Sequence, residues 1–521
     1  MSSSASRHVA GGQPPAIVLR AINKRFGAVH ANRNIDLTVM RGSITGIIGE
    51  NGAGKSTLVS ILYGFYSADS GEIAIDGRPA RFANPRDAIA CGIGMVHQHF
   101  MLVPTMTVLE NIMLGREGGA LLTHGERAIR ERLTQLSRDY GLAVDTDALV
   151  GELPVGAQQR VEILKALIGG ARILILDEPT GVLTPQEADN LFAILRTLCD
   201  DGVTILLITH KLREILAVTD SVAVMRQGEM VASKPTADTN QDELARLMVG
   251  RDVQFAVSRD AANPGSEILQ VDDLGYRDEQ GAQRLSNVSL TLRAGEILGI
   301  AGVAGNGQSE LLDVLAGITP MQQGRVRIVG REVSAVEPAE PMGLRELGVA
   351  HIPEDRHRRG LVLPFAAYES SILGYHHAPF TGQGLLLALS DIRERCASLM
   401  QRYDVRPPVS ALQSAGFSGG NQQKIVVARE LAAKPRLLLV GQPTRGVDIG
   451  AIEFIHRELI AIRDAGCAIL LVSVELDEIL AVADRIMVMN AGQIVGEVTP
   501  DQADARTIGL MMAGIPQAAG R

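Results

Sequence analysis

Short runs of Ile, Leu and Val recur along the chain, each closed by glycine, proline or charge, and longer stretches between them return an apolar residue every three or four positions. Ile173 to Leu176 and Ile205 to Ile208 are apolar throughout and Ile44 to Ile48 nearly so, which suits strands covered on both faces. Ile297 to Ile300, Leu437 to Val440 and Ile469 to Val472 repeat the pattern later in the chain. Glu126 to Tyr140 and Asp391 to Tyr403 have helical spacing with one apolar stripe, and predict helices of a subdomain inserted between strands. Strands alternating with helices predict an α/β fold with a mostly parallel sheet core and helices on its faces. In such sheets ligands collect where strands end and helices begin.

The later strands copy the earlier ones. Gly49 pairs with Gly302 at an offset of 302 − 49 = 253, and the same offset takes Gly71 to Gly324 and Gly77 to Gly330. Gly156 pairs with Gly420, and Pro179 with Pro443, at 420 − 156 = 264, so small insertions fall in the middle of the second copy, where loops tolerate them. Leu247-Met248-Val249-Gly250 matches Met511-Met512-Ala513-Gly514 at the same 264. The repeat predicts two domains, 16–250 and 267–514, joined by a short Pro/Gly-containing linker at 251–266, with a flexible leader at 1–15 and a tail at 515–521. It overrides the length of 521 residues, which taken alone suggests about three or four domains.

Composition narrows the class. With 46% apolar residues each half can bury a full core, packed mainly by aliphatics because aromatics make up 3% and Trp is absent. A formal net charge of −9 argues against a nucleic-acid surface, and the one dense basic patch, Arg356-His357-Arg358-Arg359, reads as a solvated loop. Cys91, Cys199, Cys396 and Cys467 show neither close pairing nor Cys-x-x-Cys, which fits a reducing compartment without a disulfide framework or zinc site. The Ser, Gly and Pro-rich leader lacks the apolar core of a secretory signal, and no apolar run reaches the length of about 18–20 residues that crosses a bilayer. Any work at a membrane then needs docking on other chains.

The chemistry begins at Gly49-Glu50-Asn51-Gly52-Ala53-Gly54-Lys55-Ser56, a glycine-rich loop that follows a strand and opens a helix. Backbone amides and the positive helix end can cradle phosphates there, Lys55 can reach the β and γ phosphates, Ser56 can hold Mg²⁺, and Thr57 adds a second hydroxyl. Ile173-Leu174-Ile175-Leu176-Asp177-Glu178 places two acids at the ligand edge of a buried strand: Asp177 for the metal and Glu178 to polarise an attacking water. His210, directly after the next apolar strand, is placed to contact the γ-phosphate, and Gln98 to sense metal and water. Phe26 is a candidate to stack on adenine, with a place in the core as the plain alternative.

Both halves resemble the nucleotide-binding domains of ABC transporters, from about Ile17 to Gly514. The resemblance implies two tandem P-loop NTPase domains using ATP and Mg²⁺, each reaching across to its partner's ATP with a Ser-Gly-Gly signature turn before a helix. Phe417-Ser418-Gly419-Gly420-Asn421-Gln422-Gln423 keeps that turn, whereas the first copy reads Leu153-Pro154-Val155-Gly156-Ala157-Gln158-Gln159. The phosphate loops show the opposite loss. In Gly302-Val303-Ala304-Gly305-Asn306-Gly307-Gln308-Ser309 the lysine is glutamine, and carrying the offsets along gives Gly441 for Asp177, Gln442 for Glu178, Val474 for His210 and Glu354 for Gln98.

ABC domains pair head to tail. Under that pairing Lys55, Asp177, Glu178 and His210 meet Ser418, Gly419, Gly420 and Asp448 in one complete site, and every defect, Pro154 and Val155 included, falls in the other. Gly302, Gly305 and Gly307 leave the second loop able to hold nucleotide as a static clamp. The short linker and single complete site resemble sugar and nucleoside importer ATPases, and Met95-Val96-His97-Gln98-His99-Phe100-Met101-Leu102-Val103-Pro104 with His351-Ile352-Pro353-Glu354-Asp355-Arg356 is most similar to the nucleoside uptake group. That implies two integral-membrane permease subunits, an extracytoplasmic solute-binding protein, and a peripheral place on the cytoplasmic face of the plasma membrane. Ribose or galactose is the alternative cargo, and a tandem ATPase acting on ribosomes or another nucleoprotein the alternative function.

Overall fold

The computed structural model describes residues 14–27, 29–97, 100–115, 122–181, 183, 185–251, 260–303, 305–378, 381–382, 386–500, 505–512 and 514. Gln98, residues 252–259 of the linker, the leader up to residue 13 and the tail from 515 lie outside them. The chain divides into two compact units, Met1–Val253 and Gln254–Arg521.

The strands of the first unit are β1 (Ile17–Phe26), β2 (Val29–Val39), β3 (Ile44–Gly49), β4 (Ser70–Ile75), β5 (Arg78–Ala80), β6 (Ile93–Val96), β7 (Ile173–Asp177), β8 (Thr204–Ile208), β9 (Ser221–Arg226) and β10 (Glu229–Pro235). Those of the second are β11 (Glu267–Arg277), β12 (Gln283–Arg293), β13 (Ile297–Ala301), β14 (Gln323–Ile328), β15 (Arg331–Val333), β16 (Val349–Ile352), β17 (Leu437–Gly441), β18 (Ala468–Ser473), β19 (Arg485–Asn490) and β20 (Gln493–Val498). The six-stranded core sheet runs β10-β9-β3-β8-β7-β6 in one unit and β20-β19-β13-β18-β17-β16 in the other, the same topology twice. All pairings in it are parallel except the outer β9–β10 and β19–β20 hairpins.

Each unit also carries a four-stranded antiparallel sheet, β2-β1-β4-β5 or β12-β11-β14-β15, which a reading for fully apolar runs does not find. Its strands bury one face only: along β2 the alternation of buried Ile35, Leu37 and Val39 with exposed neighbours is that of a sheet half in water. The predicted helices are present as Leu122–Tyr140 and Leu389–Arg402, the latter burying Ile392, Cys396 and Met400 as one stripe.

Alternation within the core strands separates two hydrophobic layers in the second unit. Leu438, Val440, Ile469 and Leu471 face the layer that holds Phe417 and Val447, while Leu437, Leu439, Leu470 and Val472 face the antiparallel sheet. In the observed register each residue of these strands is committed to one layer, and a one-residue slip would exchange the two. That register brings the ends of β13, β17 and β18 to one edge, as β3, β7 and β8 are brought in the first unit.

Candidate nucleotide sites

In the first unit β3, fully buried, runs into the glycine loop, and the helix Lys55–Leu62 follows. Gly54 caps that helix at φ 98°, and a Cβ there would lie 2.3 Å from the Ala31 carbonyl oxygen, so no other residue fits. The amides of Lys55, Ser56 and Thr57, the first three of the helix, have no acceptor among the described residues. They are donors waiting at a positive helix end. Lys55 is 6% exposed and its Nζ donates to the carbonyls of Gly49 (2.6 Å) and Glu50 (3.0 Å). Burial lowers its pKa, while Glu178, Asp177 and Glu50 pull the other way.

The two acids at the end of β7 are driven apart. Burial, then the charge of Glu178, push Asp177 up to about 6, with Lys55 opposing. Burial alone would raise Glu178 as well, but the hydrogen bond and charge of His210, backed by Lys55 and Lys211, hold it below the usual carboxylate value. His210 Nδ1 and Glu178 Oε1 are 2.9 Å apart. An ionised carboxylate oriented by an imidazole at a strand end can polarise a water, and neighbouring acids with separated affinities for protons can divide the labour of base and metal ligand. Glu178 has φ 48°, in the left-handed region unusual for a non-glycine residue, and its N–H donates to the Ile208 carbonyl at 2.8 Å. Beyond it Gln159 Nε2 donates to the Pro179 carbonyl at 2.7 Å and fixes the following turn. Phe26 is not core: it is 42% exposed and meets the Tyr66 ring edge-on at 5.1 Å.

The second unit keeps the loop's backbone and changes its chemistry. Gly307, at φ 103°, caps the helix Gln308–Leu315. Gln308 is 4% exposed, and its Nε2 has no hydrogen-bond partner among the described residues. Where Mg²⁺ would need open ligands, Ser309 Oγ already donates to Glu354 Oε2, and Gln442 Nε2 donates to Glu354 Oε1 at 3.2 Å. At Gly441 a Cβ would lie 2.5 Å from Glu354 Cγ, so Glu354 fills the space that an aspartate there would claim. Val474 carries no polar group to orient Gln442.

Two further changes escape a reading of the core motifs. Thr57 corresponds to Glu310 (310 − 57 = 253), which puts an acid in the helix's first turn. Arg356-His357-Arg358-Arg359, read from the sequence as a solvated loop, is a wide helical turn, Arg356–Gly360, capped by Asp355, with His357, Arg358 and Arg359 exposed as expected. Arg359 pairs with Asp313 and Arg356 is partly buried. The signal for Glu310 lay in the offset itself, but no sequence pattern announces where Arg356 points.

The signature segments also differ. Ser418 caps the helix Gly419–Ala432, its Oγ accepting from Asn421 Nδ2 at 2.8 Å and from the Asn421 amide at 3.4 Å. A Cβ on Gly420 would meet Asp448 Oδ2 at 2.7 Å, while Asp448 caps the helix Ile449–Asp464 through the Ala451 amide at 2.8 Å. In the first unit Pro154 precedes the helix Val155–Ile168 without a side-chain cap, and Val155 is 40% exposed.

Among the described residues, no helix is long and apolar enough to cross a membrane. A family model described as ABC transporter matches residues 32–181 and 285–445. The chain is 44% identical to the nucleoside import ATP-binding protein NupA of Lactococcus lactis subsp. cremoris, over 95% of this chain and 97% of that protein. It is likewise 44% identical to the glucose import ATP-binding protein TsgD13 of Haloferax volcanii, over 96% of each. The solved complex of archaeal ribosomal stalk protein aP1 with the archaeal ribosome recycling factor aABCE1 is similar in fold alone, with a TM-score of 0.62 at 18% identity over 95% of this chain and 92% of that one. Two copies of one phosphate-binding architecture, each matched by the same model, together with relatives alike over nearly their whole length, establish that the chain belongs to the ABC transporter family.

Proposed function

We propose that the chain is the ATP-hydrolysing subunit of an importer for nucleosides or simple sugars, nucleosides first, with one competent site shared between its halves. The observation that carries this reading is the division of the defects. Lys55, the free amides of residues 55–57, Asp177 and the Glu178–His210 pair stand in one half, and the intact Ser418-Gly419-Gly420 turn with Asp448 stands in the other. Head-to-tail pairing of the halves assembles them round a single triphosphate. The similarity to both a nucleoside and a glucose import protein supports import as the task and leaves the order of cargo to the uptake motifs.

The first site fits Mg·ATP: amides and Lys55 for the phosphates, the Ser56 hydroxyl and Asp177 for the metal, with Gln98 as a further candidate. Mg²⁺ when bound would neutralise phosphate charge. Glu178 takes the part of general base, held ionised and aimed by His210, and Lys55 exchanges its two carbonyl partners for phosphate oxygens. The second site does not fit the metal, because its hydroxyl is spent on Glu354, its acid is absent, and Glu310 and Glu354 put negative charge where phosphates would lie. Closing of the halves on ATP moves two permease subunits that receive cargo from a solute-binding protein, and hydrolysis releases them. The chain then works at the cytoplasmic face of the plasma membrane without entering it.

The test is uptake and ATP turnover by the transporter reconstituted with its permeases. Glu178→Gln should stop both, and Ser418→Arg should cost nearly as much although it lies in the other half. Normal hydrolysis by the Ser418 variant, with its melting temperature unchanged, would break the shared-site reading. Faster uptake of ribose or galactose than of any nucleoside would reverse the order of cargo.

A further inference from the structure

The guanidinium of Arg356 lies where three functional segments of the second half meet. Its Nη1 donates to the Arg445 carbonyl at 2.9 Å, in the loop leading to Asp448, and its Nε reaches Gln422 Oε1 at 3.4 Å, on the signature helix. Nη2 covers the signature turn itself: a Cβ on Gly419 would sit 2.6 Å from it and 3.0 Å from the Gly446 carbonyl oxygen. Gln422 is held in turn by His357 Nε2 at 2.8 Å and by its own donation to the buried Ser414 carbonyl at 3.0 Å. Residues on either side of Arg356 are anchored on the phosphate-loop helix of the same half, through Glu354 to Ser309 and Arg359 to Asp313. No carboxylate pairs with Arg356 among the described residues, so its donors serve backbone and amide geometry and not an ion pair.

The repeat supplies an independent observation. Arg356 corresponds to Phe100 (356 − 256, the offset of Glu354 and Gln98), Gly419 to Val155 (419 − 264) and Arg445 to Gly181 (445 − 264). The arginine and the glycine beneath it are present together in one half and replaced together in the other. A valine at 419 would push the guanidinium off its place over the turn, since its nearest nitrogen lies 2.6 Å from the first side-chain carbon. A decorative surface arginine would not need its neighbour to change with it.

We propose that Arg356 is a positioning residue for hydrolysis at the phosphate loop of the first half. It clamps the Ser418-Gly419-Gly420 turn and the loop before Asp448 in one register and ties both to the rigid, non-hydrolysing phosphate loop of its own half. The proposal rests on the shared-site reading above. Its effect falls after ATP has bound, because the first loop holds the phosphates with its own lysine and amides, whereas a signature displaced by about 1 Å can cost on the order of 10²-fold in rate.

The experiment uses the full chain assembled with its permeases. Arg356→Ala should lower kcat about ten- to a hundredfold with KM for ATP moving no more than about twofold. Arg356→Lys, which keeps the charge but not the fork that spans three partners, should recover only part of the loss. The double variant Arg356→Phe with Gly419→Val installs the first half's residues at both positions. It should melt within a few degrees of the parent and still fail to hydrolyse. Recovery of kcat along with stability in that double variant, or an Arg356→Ala protein of normal kcat, overturns the proposal. If Arg356→Ala is normal while Ser418→Arg is dead, the clamp is wrong and the shared site stands. If Ser418→Arg is normal, both fall.

Discussion

The two phosphate loops follow the same backbone path to opposite ends. Gly54 and Gly307 cap their helices at φ 98° and 103°, and both helices offer free amides at their first turn. In the first half the surrounding side chains are arranged round a gap: Lys55 is parked on two carbonyls, Asp177 sits raised in affinity for its proton, and Glu178 is aimed by His210. In the second half the gap is closed from within, since Glu354 takes the Ser309 hydroxyl, accepts from Gln442 and fills the space beside Gly441. The same backbone can therefore carry an open arrangement of side chains or one that is hydrogen-bonded shut. The second half is a finished structure, with its own hydrogen bonds in place of the first half's gap.

The sharpest way to break this contrast is to attack the two halves in parallel. Lys55→Ala and Glu178→Gln should each reduce ATP turnover by about 10³-fold or more, whereas Gln308→Ala and Gln442→Ala should leave most of it; equal losses from both pairs would end the division of labour. Next comes attempted repair. Gln308→Lys with Gly441→Asp and Gln442→Glu should not give a second working site while Glu354 remains, and turnover in a Glu178→Gln background measures it directly. Ser418→Asn, which keeps the helix cap, should preserve the melting temperature, while Ser418→Ala should cost about 1 kcal/mol from the cap alone.

A smaller effect concerns acid. Burial holds His351 down from 6.5 to about 4, with Glu430 and Asp313 opposing. The unfolded chain therefore takes up a proton near the ordinary value and the folded chain does not, so stability is full above 6.5 and falls as the pH drops toward 4. Melting curves at pH 7 and 5 should separate, and His351→Met, which copies Met95 of the first half, should narrow the separation. Smallest of all, Gln308→Met removes a buried unpartnered amide, so it should hold or raise stability by about 1 kcal/mol with turnover unchanged.

Much of this was legible in the chain because the decisive features are local or periodic. Fully apolar strands betray themselves by composition, the glycine loop by its eight-residue pattern, and the acids by standing at the end of four aliphatics. The repeat offset then exposed every counterpart by subtraction. The antiparallel sheets were missed because strands such as β2 alternate between core and water and look like ordinary mixed sequence. Glu354 could be read as the loss of a glutamine, but not as the filler of the space beside Gly441, since that depends on residues 87 positions apart (441 − 354) meeting at a sheet edge. Arg356 looked like solvated charge for the same reason: its partners at 419, 422 and 445 are close only once folded.

Glu178 and Gln442 both adopt left-handed backbone, at φ 48° and 42°, and both donate their N–H to the adjacent strand, at Ile208 and Val472, over 2.8 Å. The bend thus belongs to the sheet edge and does not depend on which side chain stands there. The main chain alone therefore does not tell a working centre from a silent one, and centres have to be counted by the groups that stand on the bend.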